Sequence, residues 1–409
     1  MSAQKDIVDL LLMAKKAERN SLMFLFDAAS LVRSIRLVVH VLQLERGAST
    51  LYLVSSGACD DAARLREFRR EFAALQDRLL ASVHGWPEQK NEGVALGGAV
   101  YVRLAQVLSI MEGLDDVRAK VDNLSIQPQQ EIAYFNELIR SLLAVILDMA
   151  DLSMDGEVSK AMVSLFNFMQ AKEYAGQERA WRVLCFARAC PDSAVIEVLQ
   201  RCVDEQDAFF DVFMSFGEAT QIEKLRQQLQ HQKAFDRYRG VALTQARGLA
   251  FAQDWFDEST RRMEVLHRIE SELIDVLLCL CAQKLQKAEQ ALNCEQELVD
   301  VFKVRAKGVV DSSERLDPMN DAARGGVLRA ADVLMKKVQA QAKHVQTLQE
   351  QLVLAKQALL ERKFIERAKS LLILKQGVTE EEAHKVLQEA AMRSGMKVVE
   401  VARKMLKTK

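Results

Sequence analysis

The stretch LQLERGASTLYLVSSG, residues 42–57, sets a glutamate and an arginine inside a run that is otherwise apolar. Leu42, Leu44, Leu51, Leu53 and Val54 surround Glu45 and Arg46, and no proline interrupts them. On a helical wheel Arg46 shares a face with Ile35, Val39, Leu42, Ser49 and Leu53, while Val41, Leu44, Ala48 and Leu51 fill the opposite side. A helix that is apolar nearly all round is a buried one, so the segment predicts a central helix of a helical core. A guanidinium keeps its proton, and burying it unpaired costs several kcal/mol. Arg46 therefore needs an anion inside the protein.

Composition agrees with helices. Of 409 residues, 49% are hydrophobic and 28% charged, with 17 Gly and 4 Pro to punctuate turns. A β-rich fold needs more such punctuation, and the abundant Ala, Leu, Gln, Glu, Lys and Arg are good helix formers. Most of residues 5–305 repeat apolar positions at i, i+3, i+4 and i+7. Breaks are expected near 55–61, 84–98, 124–130, 154–157, 189–193 and 216–220. Long helices joined by short loops predict an all-α fold, one up-and-down helical bundle or two stacked ones.

Residues 311–326, DSSERLDPMNDAARGG, read as a linker. Beyond it Val338, Val345, Leu352 and Leu359 recur every seven residues, the seam of a coiled-coil helix. Pairing of two chains and docking on the chain's own bundle both satisfy that seam. The C-terminal end divides into three short helices. The first ends at Gly377, the second opens with Thr379 and Glu382 at capping-box spacing, and the third follows Gly395. The expected organisation is a large helical region over 1–310, a linker and coiled-coil helix over 311–350 and a small three-helix bundle over 351–409.

Charge is unevenly spread. Residues 356–409 hold 13 Lys and Arg against 7 Asp and Glu, and the remainder holds 43 against 50. A basic tail on an acidic body points to a polyanion partner or to a solvated basic face. The cysteines at 59, 185, 190, 202, 279, 281 and 294 lack metal-ligand spacing and read as small apolar residues in a reducing compartment. No signal-peptide core opens the chain and no apolar run reaches membrane-spanning length, so a cytoplasmic protein without a membrane partner is expected. The six histidines show no ligand spacing, and P-loop, G-x-G-x-x-G and G-x-S-x-G motifs are missing. No enzyme activity, metal or cofactor is expected.

Two family resemblances sharpen this reading. Ile365, Glu366, Ala368, Lys369, Leu372, Gly377, Glu380, Ala383, Leu387, Ala391, Met392, Val401 and Ala402 keep the order I-E-x-A-K-G-x-L, a Gly-ended loop, E-x-x-A-x-x-x-L, A-M and V-A. Residues 365–402 thus resemble the ANTAR domain, an RNA-binding module of bacterial transcription antiterminators. Ser370 departs from the family's usual Gly. The resemblance implies RNA as partner, with Lys369, Arg367, Lys375, Arg393 and Lys397 as candidate contacts and Phe364 as the segment's aromatic.

Gln43, Glu45, Arg46, Gly47 and Ser49 form a Q-x-E-R-G-x-S pattern, and Arg179 closes K-E-x-A-G-Q-E-R within FMQAKEYAGQERAW, residues 168–181. A looser match at FDRYRG, residues 235–240, offers Arg239, with Arg237 as competitor. Residues 25–300 thereby resemble the NIT domain, an all-helical nitrate- and nitrite-sensing module.

That resemblance implies nitrate or nitrite as ligand, held by Arg46, Arg179 and Arg239. A guanidinium fork matches two oxygens of a planar anion. The alternative is that each arginine pairs with an internal carboxylate, with Glu45, Glu178 and Asp236 the sequence neighbours. Together the resemblances imply a nitrate- or nitrite-responsive transcription antitermination regulator. Anion binding would free or position the tail to bind leader-RNA hairpins and so prevent termination. A homodimer through the coiled coil is expected, with RNA polymerase involved only indirectly. A helical scaffold, or an antiterminator answering another anion or a partner protein, is the rival reading.

Overall fold

The computed structural model describes residues 2–57, 60–85, 98–150, 155–188, 193–230, 233–241, 247–310, 361, 364–369, 371–373, 378 and 380–407. All regular structure among them is α-helical. The helices are α1 (Ser2–Val54), α2 (Asp60–Gly85), α3 (Gly98–Glu112), α4 (Leu114–Asp122), α5 (Pro128–Ala150) and α6 (Gly156–Arg188). They continue with α7 (Ser193–Phe216), α8 (Ala219–Gln230), α9 (Lys233–Arg239), α10 (Leu249–Val310), α11 (Glu380–Ser394) and α12 (Val398–Lys407). Each break expected from sequence separates two helices. The linker and coiled-coil helix of 311–350, with Lys375, Gly377 and Thr379, lie outside the described residues.

One break has no local cause. Gly113 parts α3 from α4 where the Tyr134 hydroxyl, arriving from α5, donates to the Ile110 carbonyl. A Cβ at Gly113 would stand 3.1 Å from that hydroxyl. A side chain inserted into the helical ladder is a recognised cause of a sharp bend.

The core is organised by α1 and α6. α1 packs on α2, α5, α6 and α10, and α6 packs on α1, α5, α7 and α10. Residues 41–51 of α1 are all buried except partly buried Leu44, as a helix apolar on both faces demands. In α6 nearly every residue from Val158 to Phe186 is buried. Fully burying a Leu, Ile or Phe side chain contributes about 1.5–3 kcal/mol. With that much apolar area around them, the few polar groups at this centre are held where the packing places them.

The C-terminal unit has its own small core of Ala368, Leu372, Ala383, Leu387, Ala391, Val401 and Ala402. α11 ends at Gly395, φ +61°, with the Met396 N–H donating to the Ala391 carbonyl at 3.1 Å, a Schellman closure. This unit rests against α7, where Lys385 Nζ lies 2.7 Å from Glu197 and His384 Nε2 lies 3.3 Å from Glu205. Contrary to the expectation of small apolar cysteines in a reducing compartment, Cys185 is disulfide-bonded, while Cys202, Cys279 and Cys281 are in no disulfide. No helix among the described residues is long and apolar enough to cross a membrane.

Candidate functional site

Arg46 of α1 and Arg179 of α6 meet across the helix crossing, each laid over a glycine of the other helix. A Cβ at Gly176 would stand 2.5 Å from Arg46 Nη2, and one at Gly47 would stand 2.7 Å from Arg179 Nη2. The glycines of the ERG and AGQER motifs are therefore there for space, not for backbone conformation. Gly176→Ala has no void to fill and must push Arg46 off its partners. We expect about 1–3 kcal/mol of lost stability in urea unfolding; an unchanged midpoint would show that Arg46 moves aside freely.

Both guanidiniums are fully buried, and their partners differ. Arg46 Nη1 donates to Glu173 Oε1 at 2.5 Å and to Asn136 Oδ1 at 2.6 Å, and its Nη2 reaches Glu173 Oε2 at 3.3 Å. Arg179 touches neutral acceptors: Nη2 donates to the Gln43 carbonyl at 2.5 Å and Nη1 to the Thr260 hydroxyl at 3.1 Å. Its guanidinium lies over the Phe256 ring, 5.2 Å from the centroid. Burial, and then the nearby Arg46 charge, push the Arg179 guanidinium down to about 9. The Nε–H of each arginine is buried and meets no acceptor among the described residues.

The sequence neighbours considered as internal partners serve elsewhere. Glu45 turns to the other side of α1 and accepts from Arg118 Nε and Nη2, both at 2.8 Å, and from Arg69 Nε at 3.1 Å, tying α2 and α4 to α1. Glu178 accepts from Arg239 Nε at 2.9 Å and Nη2 at 2.7 Å, and from Arg182 Nε at 2.9 Å. The structure thus brings Arg46 and Arg179 together and places Arg239 in an adjoining cluster on the flank of α6. Arg237 is exposed, so Arg239 is the inward-facing member of that pair.

Reading single motifs missed a second buried polar cluster. Lys172 Nζ donates to Glu270 Oε2 at 2.7 Å, Arg36 Nη1 donates to Ser271 Oγ at 2.8 Å, and the His40 and His267 rings stack at 3.5 Å. Burial lowers the Lys172 ammonium even with Glu270 beside it, and burial likewise drives His40 far down. A signal for it lies in the spacing. Arg36, His40, Gln43 and Gly47 on α1, Lys172, Gly176 and Arg179 on α6, and Thr260, His267 and Glu270 on α10 each recur at helical intervals. Three polar stripes that face one another mark one shared interior.

In the tail, Arg367, Arg393 and Lys397 are exposed, whereas Lys369 is 3% exposed and paired with Glu366 at 2.8 Å. Lys369 and His384 line a cavity of about 350 Å³ between the tail and the large helical region, together with Asn136, Tyr174, Gln177 and Trp181. Phe364 is covered by Arg403, 4.8 Å from its ring centroid. Burial, reinforced by Lys369, pushes His384 down to about 4. Docking therefore favours the neutral ring. Its contribution is full above the ordinary histidine value of about 6.5 and fades as pH falls toward 4. Hydrogen-exchange protection factors over 380–394 should fall between pH 7 and pH 5, and His384→Gln should remove that fall.

The profile of a family described as nitrate and nitrite sensing, NIT, matches residues 37–278, which include Arg46, Glu173, Arg179 and Arg239. The chain belongs to the NIT family. An ANTAR domain profile matches residues 354–406, so the NIT region carries an ANTAR domain behind it. A curated relative, the Nitrate regulatory protein of Klebsiella oxytoca, is 31% identical over 99% of this chain and 96% of its own length. The solved structure of the NasR transcription antiterminator superposes with a TM-score of 0.61 at 30% identity, covering 98% of each chain. NIT membership and the all-helical ANTAR-bearing architecture bear out the resemblances read from the sequence.

Proposed function

We propose that this chain is a nitrate- and nitrite-responsive transcription antitermination regulator whose anion site is built on Arg46 and Arg179. The observation that carries this is the pair of fully buried guanidiniums with both Nε–H groups lacking an acceptor among the described residues. A planar oxyanion accepts from two such edges at once, which an apolar or cationic ligand does not. The relatives point the same way, one being named a nitrate regulatory protein and the other a transcription antiterminator. Arg239, held by Glu178 beside Arg179 in sequence, borders this site as one half of an ion pair.

The output is the ANTAR domain. Lys369, the motif lysine, is buried against the sensor when the tail is docked, so it is withdrawn from RNA there. Anion binding frees the domain, and a homodimer presents two such domains to leader-RNA hairpins so that termination is prevented. The ligand acts only through a difference in affinity between the docked and freed arrangements. Thermal melting in sodium nitrate against sodium chloride tests the input; no nitrate-specific rise in midpoint would sink it. A gel shift on two-hairpin leader RNA tests the output, with nitrate expected to raise affinity. Equal binding with and without nitrate would overturn the coupling.

A further inference from the structure

We propose that Glu173 sets the selectivity of the anion site for single over double negative charge. This rests on the assignment of Arg46 and Arg179 as the anion-binding pair. Glu173 lies in the same K-E-x-A-G-Q-E-R stretch as Arg179, six residues before it, and is 3% exposed.

The carboxylate is a fixed part of the site. Its Oε1 accepts from Arg46 Nη1 at 2.5 Å and Gln177 Nε2 at 3.0 Å, and its Oε2 accepts from Gln43 Nε2 at 2.9 Å and Arg46 Nη2 at 3.3 Å. Four donors around two oxygens leave it little reason to leave when a ligand arrives. The open donors are elsewhere, on the Nε edges of the two arginines. The ligand therefore meets those edges while Glu173 stays on Arg46.

Net charge then decides which anion fits. Arg46 and Arg179 supply two positive charges, Glu173 supplies one negative, and Asn136, Gln43, Gln177 and Thr260 are neutral. Glu131, close to Arg46, is bonded to the Thr50 hydroxyl at 2.9 Å and touches neither guanidinium; burial pushes its carboxyl well above the usual range. Among the groups hydrogen-bonded to the two guanidiniums the balance is one positive charge, which one nitrate or nitrite neutralises. A dianion such as sulfate would bring a buried excess negative charge, whose desolvation is not repaid. Without Glu173 the same pair of arginines would carry two positive charges and match the dianion instead.

The test is titration calorimetry of the full-length chain with sodium nitrate and with sodium sulfate. The wild type should bind nitrate and show no competition from sulfate in large excess. Glu173→Gln keeps the shape and removes the charge; the ratio of sulfate to nitrate dissociation constants should fall at least about tenfold, the effect of a 1.4 kcal/mol change. A ratio unchanged in a cooperatively folded Glu173→Gln protein would overturn the proposal. Should that variant not fold, Asn136→Asp moves the charge the other way. Asn136 already accepts from Arg46, so the aspartate keeps the contact and brings the site to zero net charge. Nitrate affinity should then drop at least about tenfold; unchanged affinity would overturn the charge rule. Failure of the wild type to bind nitrate at all would overturn the arginine assignment and the rule with it, whereas normal wild-type binding with insensitive variants overturns the rule alone.

Discussion

Arg46→Met and Arg179→Met are expected to abolish nitrate binding alike while shifting stability by very different amounts. Methionine retains the apolar stem of arginine and removes the charge. Without Arg46, the buried Glu173 keeps only Gln43 and Gln177, and breaking a buried pair by removing one partner costs about 3–5 kcal/mol. Without Arg179 no carboxylate is stranded. Its partners are a backbone carbonyl and a hydroxyl, bonds worth about 0.5–1.5 kcal/mol each, and its loss relieves repulsion against Arg46. Arg179→Met should therefore unfold in urea within about 1 kcal/mol of the wild type, or above it. Equal large losses in the two variants would show that Arg179 is structurally compensated and is not the site's surplus charge.

Glu270→Gln should be the most damaging substitution in the second cluster. Glu270 is fully buried and is the acceptor for Lys172, with Arg36 Nη1 3.7 Å from the same oxygen. Burial works to raise its carboxyl, but Lys172, His267 and Arg36 hold it below the usual range. Neutralising it leaves two cations without a carboxylate, a loss of about 3–5 kcal/mol. Lys172 then folds best without its proton. The unfolded chain binds more protons than the folded one, so stability rises with pH up to the ordinary lysine value of about 10.4. Urea midpoints of Glu270→Gln should climb between pH 7 and pH 9 more steeply than those of the wild type. A flat profile would mean that Lys172 keeps its charge by another route.

These two outcomes turn on partners that no motif names. The sequence places Arg46 inside the protein, because a helix apolar on both sides leaves an arginine no outward face. It cannot say that Glu173, 127 positions away, supplies the counter-charge, nor that Glu45, one position away, is committed to Arg69 and Arg118. Neighbours in a helix point about 100° apart, so adjacency is a poor guide to pairing. The glycines show the same division. Gly47 and Gly176 are visible in their motifs, but their purpose, clearance for the other helix's arginine, exists only at the crossing.

Lys369 marks the clearest difference. Its motif position and charge point to RNA, and the folded chain buries it against the large helical region beside His384. Local chemistry assigns a capacity to bind, whereas docking decides whether that capacity is accessible. Periodicity and composition, both local properties, suffice for an all-helical chain, six of its breaks, a central α1 and a compact basic tail. Which buried charges pair, which arginine remains without a carboxylate and which lysine is hidden were settled by tertiary packing alone. Each of those depends on groups far apart in the chain meeting in a water-poor interior, where a single unmatched charge costs several kcal/mol.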